Sequence, residues 1–127
     1  MKLQHLFCAL LCVFFVSCGE GDCNVTGIAI QPQNATADHN AASPGNTAQF
    51  FAHAVVHGAC STTQTAVMLQ PDWSASDAVN VTISSGKDAT NGTATCLNAT
   101  AAPVTVTATV AMSSTQTFTA AAKLRCN

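Results

Sequence analysis

The sequence has little charge and few large aromatic side chains. Asp, Glu, Lys and Arg make up 8% of its 127 residues, Tyr is absent and Trp occurs once. This scarcity of charge excludes a coiled coil or a charged helical bundle, which need Glu and Lys on their solvent-facing sides. The chain has four Lys and Arg and a net charge of −2, so we expect no binding to nucleic acid, whose phosphates it cannot neutralise. Disorder is also excluded, because 48% of the residues are hydrophobic.

The first residues have the pattern of an export signal. Basic Lys2 precedes an apolar run over residues 6–16, and this run is shorter than the roughly 20 residues of a membrane-spanning helix. The run leads into Phe15-Val16-Ser17-Cys18, which resembles the lipobox of bacterial lipoproteins. That resemblance implies a cleaved signal peptide over residues 1–17 and a lipid on Cys18, followed by a short tether over residues 18–23.

This interpretation implies a location and leaves one alternative. A lipid on Cys18 would anchor an exported bacterial protein to a membrane, on either its periplasmic or its cell-surface face. Because the chain is acidic, the anchor would depend on the acyl chains rather than on attraction to anionic lipid. The alternative is ordinary cleavage at a nearby small residue, which leaves Cys18 as a spare thiol.

Four of the seven cysteines lie beyond the signal and the lipobox. An even number of cysteines in an exported chain predicts two disulfides. Metal binding is disfavoured, because the four lie thirty or more residues apart and form no close C-x-x-C pair of the kind that zinc ribbons use. The residues alone leave all three pairings open. The four cysteines are Cys23, Cys60, Cys96 and Cys126.

Beyond the signal, apolar and polar residues alternate in short segments separated by turn residues. This period of two predicts β-strands rather than helices. Seven such segments in about 110 residues are typical of a sandwich of two antiparallel sheets. The segments cover residues 26–30, 48–57, 67–75, 79–84, 93–97, 104–110 and 116–124, and residues 33–43 are expected to form a connection.

Several of these segments share motifs with a known family. They are Ile28-Ala29-Ile30-Gln31-Pro32, Gly45 before Ala48-Gln49-Phe50-Phe51-Ala52, Asp72-Trp73-Ser74-Ala75-Ser76-Asp77 with Val79 and Ile83, and Gly92-Thr93-Ala94-Thr95 with Val104-Thr105-Val106-Thr107-Ala108. Together they resemble bacterial Ig-like domains of the BIG2 group. The resemblance implies a seven-stranded antiparallel Ig-like sandwich over residues 24–127, of a kind found as a non-catalytic module in surface and adhesion proteins.

The fold implied by this resemblance also indicates a pairing of the cysteines. In an Ig-like sandwich the start of the first strand and the loop after the second lie at one end, which would bring Cys23 near Cys60. The ends of the fifth and last strands lie at the other end, which would bring Cys96 near Cys126. We therefore expect the disulfides Cys23–Cys60 and Cys96–Cys126.

The sequence contains no convincing catalytic or metal-binding arrangement. His53 and His57 are four residues apart, but on a strand that spacing spans about 13 Å, too far for a shared metal ion. His39 lies in a polar loop, and turn capping is the expected role of Asp72 and Asp77 beside Trp73. We therefore predict neither an enzyme nor a cofactor or metal.

One outward face is a candidate for binding. The alternation places Phe51, His53 and Val55 on the outer side of a strand, where they form a small apolar patch unless residues 34–42 cover it. Trp73 has inward parity, which favours core packing over sugar stacking. The five Asn-x-Thr sites, at Asn24, Asn34, Asn80, Asn91 and Asn98, are interpreted as a by-product of Thr-rich composition.

Three functions follow from these observations. The first is a lipid-anchored cell-envelope protein whose Ig-like domain serves in adhesion, in binding an unknown protein or glycan, or as a structural module. The second is a secreted carbohydrate-binding β-sandwich that uses Phe51 and His53. The third, a small metal-dependent hydrolase using the histidines, has the weakest basis in the sequence.

Overall fold

The computed structural model describes residues 22–59 and 68–127. Within these ranges the chain forms strands and no helices, which confirms the predicted all-β class. No helix in the described part is therefore long and apolar enough to cross a membrane. The strands are β1 (Asn24–Gln31), β2 (Asn34–Ala37), β3 (Thr47–Gln49), β4 (Phe51–His57), β5 (Met68–Leu69), β6 (Asp72–Ala75), β7 (Val81–Ile83), β8 (Thr93–Cys96), β9 (Val104–Ala111) and β10 (Thr117–Cys126).

The strands of the described ranges assemble into three sheets. Sheet 1 has the order β1-β4-β5, sheet 2 the order β2-β10-β9-β6, and sheet 3 the order β3-β8-β7. Every pairing is antiparallel except that of β10 with β2, which is parallel. Each of the seven segments expected from the sequence contains strand residues, but their boundaries and number differ from the expectation in three places.

The first difference is at Phe50, which divides one expected strand into β3 and β4. Up to this residue the chain pairs with β8, and the Phe50 N–H donates to the carbonyl of Gly92 at 2.9 Å. From Phe51 onward the chain pairs with β1 instead. Sheets 1 and 3 therefore meet at Phe50, whose side chain is fully buried.

The other two differences involve proline and a long-range pairing. Pro71 separates β5 from β6, and β6 lies at the edge of sheet 2, where a neighbouring proline is tolerated. Residues 34–37, expected to belong to a connection, form β2 because they pair with β10 in register from Asn34 opposite Lys123 to Ala37 opposite Cys126. Such a partner lies too far along the chain to be visible in a local pattern.

The core lies between these sheets and is built from the inward residues of the alternating strands. Its small alanines allow close approach, while a few larger side chains fill the remaining space. Burial of each large apolar side chain contributes about 1.5–3 kcal/mol of stability. The largest fully buried side chains are those of Phe50, Leu124, Val81, Val106, Pro71, Cys96 and Cys126.

A disulfide joins sheet 3 to sheet 2. Cys96 at the end of β8 is bonded to Cys126 at the end of β10, with their Cα atoms 5.7 Å apart. Thr100 supports this junction: its N–H donates to the Cys126 carbonyl at 2.9 Å, and its hydroxyl accepts from the Cys126 N–H at 3.2 Å. The bond is the one that the Ig-like resemblance implies, and both cysteines are almost completely buried.

Candidate functional site

The outer face of sheet 1 carries the apolar residues that were candidates for binding. Along β4 the inward residues Ala52 and Ala54 are buried, so the alternate residues point away from the core. Phe51 is 46% exposed and Val55 is 42% exposed. His53 lies between them on the same face and is partly buried.

The neighbouring strands complete this face. Met68 on β5 lies directly opposite His53 and is 57% exposed, while Ala29 on β1 lies opposite His53 on the other side. Residues 34–42, which could have covered Phe51, contribute β2 to sheet 2 instead. We define the outer face of sheet 1 by Phe51, His53, Val55 and Met68.

The structure does not bring the histidines together. His53 lies opposite Ala29 and His57 lies opposite Asn24 at the other end of β4, so the strand separates the two imidazoles. The ring Nδ1 of His39 is hydrogen-bonded to the carbonyl oxygen of Asn127 beyond sheet 2. Within residues 22–59 and 68–127, no three side chains of His, Cys, Asp or Glu are grouped closely enough to hold a metal ion.

Trp73 is a core residue held by a polar network. Its side chain is 7% exposed and its ring lies 6.3 Å from that of Phe50, centroid to centroid. The indole Nε1–H donates to Asn91 Oδ1 at 2.8 Å, and the Trp73 N–H donates to Ser85 Oγ at 2.7 Å. Because the ring is buried in the core, little of its surface is accessible for a sugar to stack on.

Asn91 is the centre of that network. Its Nδ2 donates to the carbonyls of Pro71 and Gly86 at 3.0 and 2.9 Å, in addition to the bond that its Oδ1 accepts from Trp73. Its own carbonyl accepts from Gln49 Nε2 at 2.7 Å. The side chain thus ties the loop before β8 to β6, a role that the sequence pattern does not indicate.

Three aspartates cap a turn or pair at the surface. Asp77 accepts from the Asn80 side-chain amide at 2.7 Å and from the Asn80 N–H at 3.1 Å, and these bonds lower the pKa of Asp77. The Thr90 hydroxyl and N–H similarly lower the pKa of Asp88. The bonds to Asp77 agree with the turn-capping role expected for it. Asp72, for which the same role was expected, lies instead on β6 and forms an exposed ion pair with Lys87 at 3.2 Å.

An open groove lies between β6 and β7, the edge strands of sheets 2 and 3. Its volume is about 310 Å³. Ser74, Ala75 and Ala78 line it together with Trp73, Val81, Thr82 and Ile83. The lining residues include small, apolar and hydroxyl side chains but no titratable group. The groove therefore has no side chain suited to acid–base catalysis or to metal binding.

Several predicted site residues fall outside the described part of the chain. The signal peptide, the lipid-bearing Cys18 and most of the tether precede residue 22, and Cys60 lies between the two described ranges. Cys23 is disulfide-bonded, but its expected pairing with Cys60 rests on a residue outside those ranges. The Cys23–Cys60 bond and the lipid on Cys18 therefore stay predictions.

In comparisons with known proteins, no family model matches the chain and no curated protein matches it.

Proposed function

We propose that this chain is a non-catalytic, lipid-anchored protein of the bacterial cell envelope, with a single Ig-like domain that binds a protein or glycan partner. The observation that carries the proposal is the outer face of sheet 1, where Phe51, Val55 and Met68 are each more than 40% exposed. Exposed apolar side chains gathered on one face are typical of interaction surfaces. The Phe15–Cys18 lipobox supports the anchored location.

The strand order supports the Ig-like assignment. Because β3 and β4 are separated by Phe50 alone, sheets 1 and 3 can be treated as one layer. Apart from the two-residue β5, which pairs with the other side of β4, the layer has the order β1, β4 with β3, β8 and β7. That order corresponds to strands A, B, E and D of a constant-type Ig domain. Sheet 2 corresponds to strands C, F and G, with β2 added beside the last strand.

The anchor is tested by mass spectrometry of the protein isolated from bacterial envelopes. We expect a mature chain that begins at Cys18 and carries the mass of attached lipid. Cys18→Ser removes the acceptor and should release the protein from the membrane fraction, whereas Cys12→Ser, in the predicted signal peptide, should leave lipidation unchanged. A lipid mass or labelled fatty acid that persists in Cys18→Ser would contradict the proposal.

The binding face is tested separately with paired variants. Phe51→Ser should abolish binding of the purified protein to whole cells or envelope fractions, because it removes the largest apolar side chain of the face. Leu97→Ser is the matched control, since Leu97 is exposed to a similar extent, 49%, but lies outside sheet 1. Equal binding by wild type and Phe51→Ser would overturn the assignment of the face.

A glycan array decides which class of partner the face recognises. Binding of a defined glycan that is lost in Phe51→Ala would favour the carbohydrate-binding function. Retention of the protein in the soluble exported fraction, with no lipid on Cys18, would favour the secreted form of that function over the anchored one.

A further inference from the structure

The register of sheet 1 places a histidine and a methionine directly opposite each other. His53 on β4 pairs with Met68 on β5, so both side chains lie on the same outer face. Directly opposed residues of an antiparallel pair have Cβ atoms about 4.5–5.5 Å apart, within reach of a common ion. By contrast, His57 is four residues along the same strand from His53, about 13 Å away.

The surroundings of this pair suit a soft cation. The three strands of sheet 1 contain no Asp, Glu, Lys or Arg, so they offer a cation no hard carboxylate ligand. Lys87 donates to the carbonyl of Gln70, just after β5, but its charge is paired with Asp72 at 3.2 Å. Phe51 and Val55 flank His53 along the strand and supply apolar cover. On the other side Ala29 leaves space beside the imidazole.

Both ligands are accessible and adaptable. Met68 is 57% exposed, and its unbranched side chain can place the sulfur over the neighbouring strand. His53 is partly buried and is held between Met68 and Ala29 on the adjacent strands. An ion bound here would rest on the face of the sheet, open to exchange with solvent.

The chemistry of the pair selects the metal. Thioether sulfur is a soft ligand that favours Cu(I), and imidazole suits copper as well. Structural zinc requires four ligands and calcium requires six or more oxygens, neither of which this face supplies. We propose that His53 and Met68 form a binding site for a soft monovalent cation, Cu(I), for which Ag(I) is the redox-stable analogue. The site lies on the same outer face of sheet 1 that is proposed to bind a partner, but its test uses the isolated protein and requires neither that partner nor the lipid anchor.

The site is tested by titration with Ag(I), which needs no reductant. The exported, processed protein is purified without reductant, and any free thiol is blocked with N-ethylmaleimide, so that thiolates do not compete. We expect one equivalent of Ag(I) by calorimetry. In methyl-labelled protein, the Met68 resonance should shift on addition of Ag(I) while that of Met112 stays in place.

Paired variants assign the ligands. Met68→Leu preserves volume and removes the sulfur, and we expect it to weaken Ag(I) binding by about tenfold or more, as His53→Phe should. Met112→Leu is the matched control, because Met112 is also exposed, at 40%, but lies outside sheet 1. His57→Gln should bind as the wild type does.

The outcomes are distinct. Wild-type affinity in Met68→Leu, or loss of binding in His57→Gln, would overturn the proposal. If Met68→Leu fails to fold, peroxide oxidation of Met68 in the Met112→Leu background tests the same ligand, since the sulfoxide loses the thioether. Unchanged Ag(I) affinity after that oxidation would also overturn the site.

Discussion

Trp73 and Asn91 are joined across the core by a hydrogen bond of 2.8 Å from the indole Nε1–H to the side-chain oxygen. The two residues belong to β6 and to the loop before β8, so this bond links sheet 2 to sheet 3. A buried indole N–H generally requires a hydrogen-bond acceptor, which Asn91 supplies. The Asn91 side chain also donates to the carbonyls of Pro71 and Gly86. The pair is therefore a polar joint inside a largely apolar interior.

Asn91→Ala should destabilise the fold. The substitution leaves the Trp73 indole without its acceptor and the Pro71 and Gly86 carbonyls without their donor, so we expect the free energy of unfolding to fall by about 2–3 kcal/mol. Urea unfolding followed by fluorescence of the single Trp measures this. Asn98→Ala, an exposed Asn in another Asn-x-Thr site, is the control and should change little. Equal stability of Asn91→Ala and wild type would refute the role of the joint.

Gly92→Ala should destabilise the fold much more than Gly27→Ala. Gly92 has φ +80°, and a Cβ there would overlap the carbonyl oxygen of Phe50. The left-handed backbone alone costs about 1–3 kcal/mol for a residue with a side chain. Gly27 has open space around its Cβ position, so its alanine variant should unfold near the wild-type midpoint. Thermal melts of the two variants compare them, and similar midpoints would contradict the strain at Gly92.

Removing both Cys96 and Cys126 should lower stability without changing the fold. The bond closes a sequence separation of 30 residues, and its loss in a Cys96→Ala, Cys126→Ala variant should cost about 2–4 kcal/mol. Circular dichroism should still show a strand-rich spectrum. Guanidinium unfolding measures the loss, and a variant as stable as the oxidised wild type would show that the sheets do not depend on this bridge.

Acid should destabilise the protein partly through Asp77 and Asp88. Hydrogen bonds from Asn80 and Thr90 lower both pKa values from 3.8, so the folded state favours the ionised carboxylates. The resulting stability is present above the unfolded-state pKa and is lost as pH falls through the lower folded-state pKa. The free energy of unfolding at pH 7 and at low pH should therefore differ less in Asp77→Asn, Asp88→Asn than in wild type. If the variant and the wild type lose the same free energy of unfolding between pH 7 and low pH, the two turns do not contribute to the acid sensitivity.

Local alternation was sufficient to predict the strand class and many side-chain orientations. The buried positions of Trp73 and Cys96 and the exposed positions of Phe51 and Val55 follow from the period of two. The turn-capping role of Asp77 follows from the short carboxylate two or three residues ahead of backbone donors. These features depend on neighbours in sequence, which a pattern of residues contains directly.

Pairings between distant segments could not be read in the same way. The parallel partner of β2, the break at Phe50 and the position of Met68 opposite His53 all depend on which strands lie side by side. Met68 stands in an apolar segment where a methionine usually fills space, so no local signal marked it as a neighbour of His53. In the sequence, Asn91 is one of five Asn-x-Thr sites in a Thr-rich chain. Its structural role could not be predicted, because its partners Pro71 and Trp73 lie far away in sequence.

The central position of β10 limits the order in which sheet 2 can be assembled. This strand pairs with both β9 and β2 and supplies Cys126, so β2 cannot join β9 and β6, and the disulfide cannot form, before residues 117–126 have been synthesised. Sheet 2 can therefore be completed only after residue 126 has been synthesised. Until that point β2 and β9 lack the strand that joins them, so the assembly of sheet 2 waits for its last strand in chain order.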